Sequence, residues 1–470
     1  MESEASRPVW PLALIAVAAI AFYLYSSIEV RVPEPVPERS VGGLAEIQAL
    51  ADRDDTNILF ILIDTLRAER MGAYGYERAT TPFMSKLAET GIRFDHHIAQ
   101  SSWTKSSMAS MWTGLNPIRS GVTKFNHAIS RDVIMPAEIL EEAGFKNVGL
   151  YRNGWVHGYF GFDQGFEKYY RPLGIQGDLE VFRNRPNAEA HGTDEGLIGD
   201  AIEFLRIHGD SSRWFLYLHL MDLHEYTYDA ESAIFGNTVS DLYDNSILRT
   251  DWVISTLHAY LEKKGLLDDT IIVVLSDHGE AFGERGFEGH ARTVYPETTE
   301  TPLIISLPFD LEKPVRVDAR TANVDVWPTL LELIGLGGTE RETDGVSRMP
   351  ELLAAVEGGA TPDAEKDVAV AFLDENWGHP NTPRQPSISV LEGGYRFVSG
   401  RDHGGRRFET LLSLEDEQQE NRIEELPEVA ARLREKAAGE LKLDPVFEAD
   451  TYELDEMQLD QLRALGYELP

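Results

Sequence analysis

Asn57-Ile58-Leu59-Phe60-Ile61-Leu62-Ile63-Asp64 is the stretch on which the fold turns. Nothing polar interrupts it between Ile58 and Ile63. A strand with one wet face would alternate apolar and polar residues, so this run suits a strand covered on both sides, as in a parallel sheet. Trp214 to Met221, Thr270 to Leu275 and Leu303-Ile304-Ile305 repeat the texture further along the chain. Helical patterns separate these runs. Ala137 to Gly144 reads as a helix ending on glycine, followed by a short strand at Val148 to Tyr151. Strands alternating with helices predict an α/β fold, a mostly parallel sheet sandwiched by helices, over residues 57–365. From about residue 366 the runs shorten and turns separate them: Ser387 to Leu391, Tyr395 to Val398 and Phe408 to Leu412. That predicts a small antiparallel-sheet subdomain over 366–425, followed by an acidic, helical tail at 426–470.

The 470 residues, 42% of them hydrophobic, suffice for one large domain with a smaller appendage. Lys and Arg total 43 against 79 Asp and Glu, a formal charge of −36. Nucleic acid is excluded as a partner, because phosphate backbones require a basic footprint. An anionic ligand then needs a local positive charge, most simply a bound metal ion. The absence of cysteine excludes disulfides, thiolate metal sites and cysteine nucleophiles.

Val9 to Ile28 is apolar apart from Ser26 and Ser27. About twenty residues at ~1.5 Å each match a bilayer core of roughly 30 Å. A cleaved signal peptide or a buried helix are the alternatives. No small-residue cleavage site follows the run, where Tyr23, Tyr25 and Glu29 stand, which favours an uncleaved single-pass membrane anchor at 9–28 behind a short tail at 1–8. With so little chain before the span, the remainder is expected outside the cytoplasm. Residues 29–56, opening on Pro33-Glu34-Pro35-Val36-Pro37, read as a stiff, solvated linker.

Three apolar runs end on aspartate: Asp64, Asp222 and Asp277. Ligand sites in parallel sheets form outside the carboxyl ends of the strands, so these three carboxylates are expected to face one crevice. Any one of them alone reads more simply as a helix cap. Thr104 opens Thr104-Lys105-Ser106-Ser107-Met108-Ala109-Ser110-Met111, which reads as a helix start with Thr104 at the cap and free N–H groups suited to an oxyanion. On local sequence, capping is the simpler role for it.

Taken in order, Asn57 to Asp64 with Gly72-Ala73-Tyr74-Gly75, Thr104 to Thr113-Gly114, Gly144-Phe145-Lys146-Asn147, Asp222-Leu223-His224, Asp277-His278-Gly279 and Asp325-Val326-Trp327-Pro328-Thr329 resemble the signatures of the sulfatase family of the alkaline phosphatase superfamily. The resemblance implies that family's fold, a metal centre and ester chemistry, with Thr104 at the nucleophile position. The departures matter equally. Where the family carries Cys or Ser, convertible to formylglycine, with Arg four residues on, this chain has Thr104 and Met108. Thr65 replaces the second aspartate of the first motif, and His278 stands where Asn is common. These features are similar to the phosphoryl-transferring branches of the superfamily.

By that resemblance Asp64, Thr104, Asp277 and His278 are expected to hold one divalent cation. Three oxygens and an imidazole suit Zn²⁺ or Mn²⁺ better than Ca²⁺ or Mg²⁺. The ion would activate the Thr104 hydroxyl, with no formylglycine. Formylglycine enzymes release sulfate by collapse of a geminal diol; a threonine ester must instead be cleared by a second attack, which tilts the expectation toward phosphoesters. His224 and His290 resemble residues that contact the oxyanion and protonate the leaving group. A rival assignment gives Asp222, His224 and His290 a second metal. Arg152, near the position of the second signature's lysine, and Ser107 are the candidate substrate contacts. His219, mid-strand, reads as a packed core histidine, and Glu280 as a group orienting a ligand. The expected partner is an anionic ester, on a lipid or a glycan. The alternatives are sulfate-ester hydrolysis on the same threonine, or a non-catalytic binding or scaffold domain.

Overall fold

The computed structural model describes residues 39–172, 192–338, 342–359, 368–379, 382–402, 404–416 and 420–463. Its centre is an eight-stranded sheet built from β1 (Asn57–Ile63), β2 (Ile92–Ile98), β3 (Lys146–Tyr151), β4 (Lys168–Tyr170), β5 (Trp214–Leu220), β6 (Thr270–Leu275), β7 (Leu303–Ser306) and β8 (Val315–Ala322). The spatial order is β8-β2-β7-β6-β1-β5-β3-β4. All neighbours are parallel except β7, which runs antiparallel to both β2 and β6.

All seven residues of β1 are buried, because both of its faces are covered. Successive side chains point to opposite sides, so Ile58, Phe60 and Leu62 join one core while Leu59, Ile61 and Ile63 join the other. On the first face lie helices α1 (Thr104–Thr113) and α2 (Asn323–Leu333). Phe60 stacks on Trp327 at 5.2 Å, and Trp112 stacks on Trp327 at the same centroid distance. Every residue of α1 is buried, and its serines and alanine allow it to lie close beneath its neighbours.

A four-stranded antiparallel sheet follows: β9 (Ala369–Asp374), β10 (Pro386–Glu392), β11 (Tyr395–Arg401) and β12 (Arg407–Ser413), hydrogen-bonded in sequence order. Helix α3 (Pro427–Glu440) covers it through Ala430, Leu433 and Ala437, which pack with Val370, Ile388, Val390, Phe397 and Leu411. The segment read as an acidic tail is therefore structural in part. Beyond α3 the chain returns to the large domain, where Asp450–Thr451 pairs antiparallel with His127–Ala128.

Two expectations change. The linker was expected to stay solvated as far as residue 56. From Arg39 onward it is folded: Val41–Gly42 pairs with Asp310–Leu311, and Ile47 and Leu50 enter the core. The single-pass anchor, and with it the extracytoplasmic placement, is corrected. No helix among the described residues is long and apolar enough to cross a membrane, and the 9–28 run lies outside those residues.

Candidate active site

β1 and β6 are neighbours, so the aspartates that follow them emerge side by side at the carboxyl edge of the sheet. Both are fully buried. Asp64 Oδ2 accepts hydrogen bonds from Asn153 Nδ2 at 2.6 Å and His219 Nε2 at 3.0 Å. Asp277 Oδ1 accepts the backbone N–H of His278 at 3.0 Å and of Thr65 at 3.4 Å. The other oxygen of each, Asp64 Oδ1 and Asp277 Oδ2, is buried without a hydrogen-bond partner. They lie 3.8 Å and 3.3 Å from His278 Nε2.

Thr104 completes the group. Its Oγ1 is 3.0 Å from His278 Nε2 and accepts weakly from Asn153 Nδ2 at 3.4 Å. Trp103, in extended backbone, holds the cap position, and Thr104 is the first residue of the helix. Its hydroxyl is engaged with His278 and Asn153, outside the helix. Capping does not explain this threonine.

Two buried carboxylate oxygens without donors would be costly in an apolar setting, and a cation removes that cost. The donors fit one. Around a tetrahedral ion with bonds of ~2.0–2.1 Å, neighbouring ligand atoms sit about 3.3–3.4 Å apart, the range spanned by the separations here. Without an ion the carboxylates must differ. Burial raises Asp64, yet the hydrogen bond from His219 and the neighbouring imidazoles win and hold it well below the usual carboxylate range. Burial and then the charge of Asp64 push Asp277 up to about 7.

His219 and Asn153 are additions that the sequence reading missed. His219 accepts from Tyr217 Oη on Nδ1 at 2.8 Å, which leaves Nε2–H to donate to Asp64. Asp64, His219 and Asp277 each place one ligand atom within 4.8 Å of the others, so this trio is also able to hold an ion. A signal for His219 existed: by the two-residue period it falls on the face of Phe215 and Tyr217, toward α1, not on that of Leu218 and Leu220. Asn153 follows the carboxyl end of β3, the same edge as the aspartates.

At the rim, His224 Nε2 and His290 Nε2 are 3.3 Å apart, and His290 Nδ1 pairs with Glu280 Oε2 at 3.1 Å. His290 stacks on His278 at 4.7 Å. Burial lowers all three imidazoles, His290 to about 4, while burial pushes Glu280 up to about 7. Near neutral pH the proton of the Glu280–His290 pair therefore resides on the carboxyl side.

Three other candidates lie elsewhere. Asp222 does not face the Asp64–Asp277 crevice; it accepts from Arg152 Nη1 and from the backbone N–H of Asp194 at 3.2 Å. Arg152, buried, also donates to Asp194 and Glu225, each at 2.7 Å, so its guanidinium is committed to carboxylates and not directed at Thr104. Ser107 Oγ donates to the Asp277 carbonyl at 2.6 Å, fastening α1 to the β6 edge. Three non-glycine residues beside the site adopt left-handed backbone: Thr65 at φ 65°, Tyr226 at 52° and Ala291 at 53°.

The family model described as Sulfatase matches residues 56–336, which is more than half of the chain. The chain belongs to the sulfatase family. Among curated proteins this sulfatase-family chain is 23% identical to the steryl-sulfatase of Rattus norvegicus, over 64% of its own length and 71% of the relative's. It is 24% identical to an ulvan-active sulfatase of Formosa agariphila, over 70% of each chain. Solved structures with the same fold include the phosphonate monoester hydrolase of Agrobacterium radiobacter. That structure superposes with TM-score 0.63 at 18% identity, covering 82% of this chain and 95% of the other. These relatives and neighbours are ester hydrolases, and the family is metal-dependent.

Proposed function

We propose that this chain is a metal-dependent hydrolase or transferase that cleaves a phosphoric or sulfuric ester through a covalent intermediate on Thr104. One observation carries the reading: the Thr104 hydroxyl lies 3.0 Å from His278 Nε2, beside the two unpartnered carboxylate oxygens of Asp64 and Asp277. Asp64, Thr104, Asp277 and His278 would hold Zn²⁺ or Mn²⁺ in preference to Ca²⁺ or Mg²⁺, with His219 at its border. When bound, such a cation lowers the pKa of a coordinated hydroxyl and offsets the negative charge of the ester.

The chain supplies the rest. Asn153 holds Asp64 and Thr104 in register. Thr104 Oγ1 gives its proton to solvent water and attacks the central atom, forming a Thr104 ester as the bond to the leaving oxygen breaks. His224 and His290 face that oxygen, and the proton held between Glu280 and His290 passes to it. Water or an acceptor alcohol then attacks the same central atom and frees Thr104. Formylglycine has no place in this scheme, because threonine carries a methyl group where the aldehyde keeps its hydrogen, so oxidation at its β-carbon would give a ketone.

A second reading, hydrolysis of a sulfuric ester on the same threonine, is favoured by the relatives named as sulfatases. The requirement for a second attack, and a fold shared with a phosphonate monoester hydrolase, favour phosphoester chemistry. The retained donor set argues against a scaffold without catalysis. Turnover of an aryl phosphate diester, compared with an aryl sulfate, decides the order. Mass mapping of a rapidly quenched reaction should find the adduct on the peptide containing Thr104. Sulfate turnover without phosphoester turnover reverses the order, and an adduct on another residue overturns the reading.

A further inference from the structure

A cleft of about 480 Å³ opens between the 118–127 segment and the turn after β9. Lys124, His127, Asp374, His379 and Arg384 are among the residues that line it. In a chain of net charge −36, two cations gathered in one concavity run against the background. Each is held by its uncharged parts. The stem of Lys124 crosses Gly378, where an added Cβ would collide with it. The Arg384 guanidinium lies on the Phe372 ring, 4.7 Å from its centroid. The carboxylate present, Asp374, is buried, and its Oδ1 accepts the backbone N–H of Asn376 at 3.2 Å and Gln385 at 3.0 Å. Asp374 attracts Arg384 electrostatically, but neither Lys124 nor Arg384 comes within ion-pairing distance of a carboxylate among the described residues.

The 118–127 wall, which bears Lys124, also offers an acceptor. His127 Nδ1 donates to the Gly121 carbonyl at 2.6 Å, which leaves Nε2 with its lone pair. Burial lowers His127 to about 4, so it is neutral at pH 7. The turn bearing these groups is fixed. Phe125 N–H donates to the Trp377 carbonyl at 2.8 Å, and Tyr452 N–H donates to Asn126 at 2.8 Å. The Phe125 carbonyl in turn accepts from Lys105 Nζ at 2.6 Å, one residue from Thr104.

We infer that this cleft is a second binding site, separate from the ester centre, for a hydroxyl-bearing oxyanion of the sugar-acid class. Lys124 and Arg384 take the oxyanion, and His127 Nε2 accepts a ligand hydroxyl. The inference does not depend on the role of Thr104. Titration calorimetry on the full chain, with glucuronate, inorganic sulfate and glucose as probes, tests it. Glucuronate should bind at one site, more tightly than sulfate, and glucose should not bind. The Lys124→Gln/Arg384→Gln variant should weaken glucuronate at least tenfold, while Thr104→Ala leaves it unchanged. Should the double variant fail to fold, Lys124→Gln alone, on an exposed side chain, should shift affinity in the same direction. Sulfate binding as tightly as glucuronate overturns the sugar-acid assignment. No binding of glucuronate, binding indifferent to both cations, or binding lost in Thr104→Ala overturns the site.

Discussion

Thr104 and Asn153 meet through single atoms: Asn153 Nδ2 lies 3.4 Å from Thr104 Oγ1 and 2.6 Å from Asp64 Oδ2. Thr104→Ala should lower kcat by about 10³-fold or more, whereas Thr104→Ser, which keeps the hydroxyl, should retain measurable turnover. Asn153→Ala removes the donor shared by Asp64 and Thr104. A hydrogen bond to a charged partner contributes ~1.5–3 kcal/mol, so steady-state kinetics should show a roughly 10- to 100-fold loss of kcat/KM with secondary structure intact by circular dichroism. Asp64 and Asp277 were legible as neighbours at one sheet edge because each follows an apolar strand, whereas Thr104 and His278 joined them only through the family resemblance. Arg152 was not. It sits one residue before Asn153, but only the folded chain reveals that Asp194, Asp222 and Glu225 engage its guanidinium.

Between elements, His97 on β2 is the joint whose titration should be felt. Its Nδ1 pairs with Thr321 Oγ1 at 2.8 Å and its Nε2 with Asn323 Oδ1 at 2.7 Å, while Asn323 Nδ2 donates to the Asp277 carbonyl at 3.3 Å. Burial lowers His97 to about 4, below the ordinary histidine value of 6.5. The unfolded chain then binds the proton more readily, so the stability this neutral imidazole contributes is complete above pH 6.5 and is lost as pH falls toward 4. The loss is up to about 3 kcal/mol. Thermal melts of His97→Gln should show a shallower decline over that interval than the parent, and equal slopes would refute the argument. Strand existence was readable from apolar runs, but strand direction was not. Leu303, Ile304 and Ile305 would look the same in either sense, and β7 proves antiparallel to both neighbours. The folding of residues 39–56 was hidden because two buried apolar side chains, Ile47 and Leu50, are too few to make a period.

For the whole molecule, charge and metal set the expectations. A chain of −36 repels an anionic ester at a distance, so kcat/KM for such a substrate should rise as salt is raised from low to physiological strength and the repulsion is screened. A fall would mean that local cations dominate the approach. Dialysis against a chelator should lower the melting temperature, by the equivalent of ~2.7 kcal/mol if the ion was present at a hundredfold its Kd, and Zn²⁺ or Mn²⁺ should restore both melting temperature and turnover. Thr65, Tyr226 and Ala291 bring a last consequence. Each holds a left-handed backbone that an L side chain resists by ~1–2 kcal/mol, and each lies within two residues of Asp64, His224 or His290. A laboratory screen that rewarded nothing but heat resistance should therefore collect glycine at Ala291. The survivors would melt later and turn over more slowly, having traded a taut rim for a slack one.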